Sequence, residues 1–147
     1  MTGGGDCPGL NAVIRAVVRK GVSAYNDEFL GFFDSWDGVM EQRYMTLGES
    51  DVRGLLPRGG TILGTRRGSP YDSSDGIERV KKCFAEQNLD GLIVIGGNGS
   101  LTVSSLIYTE TGLPIIGVPK TIDNDVYGTD LTFGFHTAVQ IATDAID

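Results

Sequence analysis

Three glycine clusters and one short acidic segment hold the residue types whose spacing suits chemistry. The clusters are Gly3, Gly4, Gly5 and Gly9; Gly59, Gly60, Gly64 and Gly68; and Gly96, Gly97 and Gly99. The first and third each open onto a helical pattern. A helix N-terminus offers unpaired amide N–H groups and the positive end of its dipole. Glycine lets the backbone approach an anion closely and adopt positive φ. Phosphate binding is the chemistry this arrangement predicts; for any one glycine pair the alternative is a plain tight turn. Arg58, Arg66 and Arg67 stand beside the second cluster, where a planar guanidinium suits phosphate and a solvated basic patch is the alternative.

Neither common phosphate motif is met. Pro8 stands where G-x-G-x-x-G needs its third glycine, and Gly9 is followed by Leu10-Asn11 rather than Lys-Ser/Thr. The acidic segment is Pro119-Lys120-Thr121-Ile122-Asp123-Asn124-Asp125. One carboxylate here can act as general base toward a hydroxyl. A second can hold Mg²⁺ that bridges phosphate oxygens. An Asx turn at a helix start is the competing reading.

The elements that must position these residues alternate between helix and strand. Leu10, Val13, Ile14, Val17 and Val18 fall at i, i+3, i+4, i+7 and i+8, an amphipathic helix that Gly21 or Asn26 would end. Phe29–Phe33 reads as a short strand, Asp51–Leu56 as a short helix and Thr61–Leu63 as a short strand. A helix is expected from Asp75, its N-cap, to about Asn88, another over Leu101–Thr109 ended by Leu113-Pro114, and a last one over Thr137–Ile146. Leu92–Ile95 and Ile115–Val118 are unbroken apolar runs, which predict strands buried on both faces. Strand, helix, strand over 92–118 is a βαβ unit with parallel strands and a right-handed crossover. The fold class is therefore α/β, a parallel sheet with helices on both faces. Gly97–Ser100 and the 119–125 segment would leave the carboxyl ends of two such strands, where ligands bind, so that Asn98, Asp123 and Asp125 converge on one phosphate group.

Composition narrows the function further. Of 147 residues 22 are glycine and only 5 proline, with no G-X-Y period, which excludes collagen and argues against a flexible linker. The formal net charge of −7 argues against nucleic-acid binding and against an anionic membrane surface. Cys7 and Cys83 are far apart and His136 is the single histidine, so neither a disulfide framework nor a zinc site is expected. No signal-peptide pattern or long apolar run occurs, and the expected location is cytoplasmic. Only Met1 and Thr2 precede the first glycine turn, and no strand follows the last helix. The chain is expected to be a piece, truncated at both ends.

Taken together the motifs resemble the phosphofructokinase family in its bacterial form. The segments that carry the resemblance are Gly4 to Asn11, Gly59 to Arg67, Gly96 to Ser100, Pro119 to Asp125, and Gly128-Thr129-Asp130 with Thr132 to Phe135. Five motifs in order, along nearly the whole chain, make a specific signal. The resemblance implies a Rossmann-like three-layer arrangement in which residues 1–147 form the N-terminal, phosphoryl-donor part, with the sugar-phosphate half absent. It implies phosphoryl transfer from ATP to the 1-hydroxyl of fructose 6-phosphate, with Mg²⁺, in a homo-oligomer (tetramer or dimer) when full length. By that resemblance Gly5, Arg67 and Gly68 contact the nucleotide phosphates and Gly97, Asn98, Gly99 and Ser100 wrap the donor. Thr121, Ile122 and Asp123 contact the sugar phosphate. Asp123 is the general base, Lys120 and Asp125 complete the catalytic set, and Asn98 and Asp125 are the metal positions.

Three departures follow from the comparison with the family pattern. The residue between the glycines of the third cluster is usually acidic and is Asn98 here, which weakens the metal site and raises the alternative of a non-catalytic nucleotide-binding paralogue. Gly99 goes with ATP whereas Lys120 goes with pyrophosphate; the space left at position 99 favours ATP, with a pyrophosphate-dependent enzyme as the alternative. Arg15 and Arg19 match two of the subunit-interface arginines that bind effectors in bacterial relatives, while the stretch around Glu49 lacks another, so the resemblance leaves effector control open.

Overall fold

A computed structural model describes residues 1–147. Helix α1 (Leu10–Tyr25) is the amphipathic helix of the sequence pattern, and Asn26 closes it in the left-handed conformation with its N–H on the carbonyls of Gly21 and Val22. Strand β1 (Phe29–Phe32), helix α2 (Trp36–Glu41) and strand β2 (Tyr44–Leu47) follow, and β1 and β2 pair antiparallel. After a long irregular stretch come helix α3 (Gly76–Glu86), strand β3 (Leu92–Gly96), helix α4 (Asn98–Thr111), strand β4 (Ile115–Thr121), the two-residue strand β5 (Phe133–Gly134) and helix α5 (Phe135–Ile146). The parallel sheet runs β3-β4-β5, with Leu92 opposite Ile115 and Gly96 opposite Pro119.

Strand β3 is the centre of the fold. Its side chains alternate between two cores, as a strand's must. Leu92 and Val94 join Trp36, Val80, Phe84 and Ile107 from α2, α3 and α4. Ile95 joins Leu10, Ile14 and Val18 of α1, with Leu55 and Leu63. Helices therefore lie on both faces of β3. Strand β4 departs from the expected burial: Ile116 is 65% exposed, whereas Val118, farther along the same face, packs against the core of α1. Helix α5 likewise buries none of its residues.

Other differences are local. Asp51–Leu56 forms turns rather than a helix. The Asp51 carboxylate accepts from the Gly48 N–H at 2.8 Å, and Gly54 has φ +74°, outside the helical region. Thr61–Leu63 is also a turn; the Ile62 N–H donates to the Asn11 side chain rather than to a strand. Asp75 precedes α3 without a side-chain cap. Helix α4 begins at Asn98, earlier than the periodicity showed, and ends on left-handed Gly112 before the expected Leu113-Pro114 stop.

The first glycine turn does follow an extended segment. The Met1 amino group donates to the Ile93 carbonyl at 2.9 Å, Ile95 N–H to the Met1 carbonyl at 3.0 Å, and Gly3 N–H to the Ile95 carbonyl at 2.9 Å. Thr2 forms a parallel bridge with Ile95. Residues 1–3 thus lie along the free side of β3.

Candidate active site

Three chain segments leave the carboxyl edge of the parallel sheet side by side. They are the turn after Gly3, Gly97–Ser100 after β3, and 122–125 after β4. Helices α1 and α4 start from Gly9 and Gly97 with no side-chain cap and no acidic residue in the first turn. Their leading amides are therefore free for an anion. Ideal Cβ atoms built on Gly5, Gly59 and Gly99 meet nothing within 4 Å, so these backbones face open space.

The second glycine cluster is bound to the first. Thr2 Oγ1 donates to the Gly64 carbonyl at 2.6 Å, Thr65 Oγ1 to the Gly4 carbonyl at 2.7 Å, and Gly4 N–H to the Arg66 carbonyl at 3.4 Å. Asn11, 2% exposed on α1, takes the Ile62 N–H on its oxygen at 2.8 Å and donates to the Arg58 and Gly59 carbonyls at 3.3 and 3.1 Å. Among the arginines of this cluster, Arg66 pairs with Asp37 at 2.6 Å, whereas Arg67 is exposed and makes no ion pair. Gly68 has φ +146°, a backbone that disfavours a side chain.

Lys120 is 5% exposed and its Nζ donates to the Gly5 carbonyl at 2.6 Å. An ideal Cβ on Gly4 would lie 3.6 Å from that Nζ, and one on Gly97 4.0 Å from it. The ammonium therefore sits between the first and third glycine turns. Ser100 is wedged between the same turns: its Oγ would be 2.6 Å from a Cβ on Gly3, and its Cβ 2.6 Å from one on Gly96. That places Ser100 between the two backbones, as a spacer.

The acidic loop is held by its own hydroxyl. Thr121, 3% exposed, donates from Oγ1 to Asp125 Oδ1 at 2.7 Å and accepts the N–H groups of Asp123 and Asp125 at 3.1 and 3.4 Å. Asn124 takes φ +55° to complete the turn. Asn98 Nδ2 donates to the Asp125 carbonyl at 2.8 Å and to Asp125 Oδ2 at 3.2 Å. The Asp123 carboxylate and Ile122 are exposed at this edge. Asn98 and Asp125 are thus in hydrogen-bond contact, and Asp123 stands two residues before Asp125 in the same loop. The Thr121 hydroxyl is committed to the loop itself.

The donor set fits Mg²⁺ in one mode only. No group of three His, Cys, Asp or Glu side chains stands close enough to hold an ion. Mg²⁺ is commonly bound by one or two carboxylates together with substrate phosphates and water. Asp125, with Asp123 nearby, suits an ion that arrives with its phosphates. Cys7 is no nucleophile: it is buried, and burial pushes its thiol up, against the pull of Lys120 and with a further push from Asp6.

Sequence reasoning missed the Asn11 grip and the Thr2 and Thr65 ties. Their partners lie 51, 62 and 61 positions away, so no local pattern signals them.

A family model described as Phosphofructokinase matches residues 1–147. The chain belongs to the phosphofructokinase family. It is 56% identical to a Streptomyces coelicolor protein named Pyrophosphate–fructose 6-phosphate 1-phosphotransferase, and 53% identical to one from the same organism named ATP-dependent 6-phosphofructokinase 3. Each match covers 100% of this chain and 43% of the other protein, so the chain spans less than half the length of these phosphofructokinases. The crystal structure of Pichia pastoris phosphofructokinase in the T-state is similar at a TM-score of 0.91 and 32% identity, over 99% of this chain and 17% of that one. No helix of the chain is long and apolar enough to cross a membrane.

Proposed function

We propose that the complete protein transfers a phosphoryl group from ATP to the 1-hydroxyl of fructose 6-phosphate, and that this chain supplies its donor site and catalytic loop. The observation that carries the reading is the meeting of two uncapped helix N-termini, a buried lysine and the Asp123 loop at one sheet edge. Gly5, Gly97, Asn98 and Gly99 would line the phosphate chain with backbone amides, Arg67 and Gly68 would close its outer side, and Ser100 would keep the turns apart. Lys120 would neutralise charge on the transferred group. Asp123, exposed beside Thr121 and Ile122, would take the proton of the attacking hydroxyl. Mg²⁺ held by Asp125 and the donor's phosphates would supply further charge neutralisation. Catalysis is then mostly positioning and electrostatics.

ATP is favoured over pyrophosphate by the open space at Gly99, where nothing stands within 4 Å of a Cβ position to crowd an α-phosphate. Pyrophosphate is the second reading, favoured by Lys120 and by the relative at 56% identity whose name specifies it. The test is a coupled assay of the full-length protein with fructose 6-phosphate, Mg²⁺ and either donor. Turnover with ATP is expected, and Asp123→Asn should lower kcat by about 10²–10⁴-fold. Turnover with pyrophosphate alone overturns the donor assignment, and nucleotide binding without turnover from either donor overturns the enzyme.

A further inference from the structure

Asn98 and Asp125 face one another across the gap between α4 and the loop after β4, 27 positions apart in the chain. The carboxamide can turn only one way there. Its oxygen toward the Asp125 carboxylate would repel, so Nδ2 is the facing atom, donating at 2.8 Å to the carbonyl and at 3.2 Å to Oδ2. Thr121 Oγ1 occupies the other carboxylate oxygen at 2.7 Å and also accepts the Asp123 N–H. A continuous run of hydrogen bonds therefore leads from the first residue of α4 through Asp125 and Thr121 to the backbone of Asp123. Both donors to the carboxylate are neutral groups. The positive end of α4 adds to their hold on it.

A carboxylate at position 98 would instead confront the Asp125 carboxylate at the same short distance. Two such groups stay together only with a cation or a proton between them. We infer that Asn98 is a positioning residue that closes the 121–125 loop onto α4 by hydrogen bonds alone, so that the loop is set before any metal or phosphate arrives. The inference rests on the phosphotransfer reading for its purpose, since the loop it sets is the one carrying Asp123. The loop closure itself is measurable without activity.

The experiment is amide hydrogen exchange across residues 122–126 in the full-length protein, without donor or acceptor, with and without millimolar Mg²⁺. The wild-type loop should be protected equally in both conditions. Asn98→Asp should exchange about tenfold faster or more without Mg²⁺, the loss of a hydrogen bond to a charged group, and return toward wild type with it. Asn98→Ala, which removes the bond and adds no charge, should exchange faster in both conditions. Wild-type protection that itself needs Mg²⁺ overturns the inference. So does an Asn98→Asp loop as slow as wild type without the metal, or one that Mg²⁺ does not restore. Because no turnover is read, an inactive protein with these exchange rates refutes only the kinase reading, and an active one without them refutes only the positioning role.

Discussion

Asn11 holds three backbone groups of a loop that has no regular structure of its own. It is buried on α1 and satisfies Ile62 N–H and the Arg58 and Gly59 carbonyls. Truncation to alanine would leave a buried amide without a partner and two carbonyls released. Asn11→Ala is expected to lose about 2–3 kcal/mol of stability in urea denaturation, and Asn11→Asp to lose at least as much, because it keeps the acceptor for Ile62 N–H but buries a charge whose other oxygen faces the Arg58 and Gly59 carbonyls. A loss below about 0.5 kcal/mol, the range of an inconsequential surface change, would show that the loop holds without this side chain. The same logic explains why Asn11 reads in sequence only as one letter of a motif. Its contribution is to the geometry of a cluster some fifty residues later.

At the scale of elements, the entry to α1 depends on Gly9. This residue has φ +102°, and a Cβ there would stand 2.8 Å from the Phe133 ring. Gly9→Ala combines a disfavoured backbone with a clash and should lower stability by about 1–3 kcal/mol. Gly59→Ala, with open space around it, serves as the comparison and should leave the thermal midpoint nearly unchanged. Equal midpoints for the two variants would remove the case for Gly9 as a required turn. These glycines also show where the sequence could be read and where it could not. The βαβ unit was legible because Leu92–Ile95 is unbroken and apolar and the helix after it is long. The pairing of β1 and β2 was half legible: β2 alternates exposed and inward-facing positions over only four residues. The turns at 51–56 escaped because a side-chain bond from Asp51 and the left-handed Gly54 outweigh a helical pattern that spans barely one turn. The exposure of Ile116 escaped because an apolar strand looks the same whether or not a helix covers its second face.

Across the whole molecule, the segment of residues 1–3 ties one end of the chain to its central strand. Thr2 is fully buried there, and its hydroxyl donates to the Gly64 carbonyl at 2.6 Å. Thr2→Val, which keeps the shape and removes the hydroxyl, should lose about 1–2 kcal/mol of stability in urea denaturation, because that carbonyl is left without its donor. An unchanged urea midpoint would show that the tie between the first and second glycine clusters contributes nothing to the fold.

That same strand-edge contact spans 92 positions. During synthesis on the ribosome the first glycine turn emerges long before Ile93 and Ile95, the residues that support it, have been made. At about 5–20 residues per second the wait is on the order of 5–20 s. Through that time the N-terminal segment has no sheet to join and its apolar Met1 stays exposed. The edge where the glycine turns meet is therefore a late product of translation, assembled when β3 leaves the tunnel and draws residues 1–3 back beside it.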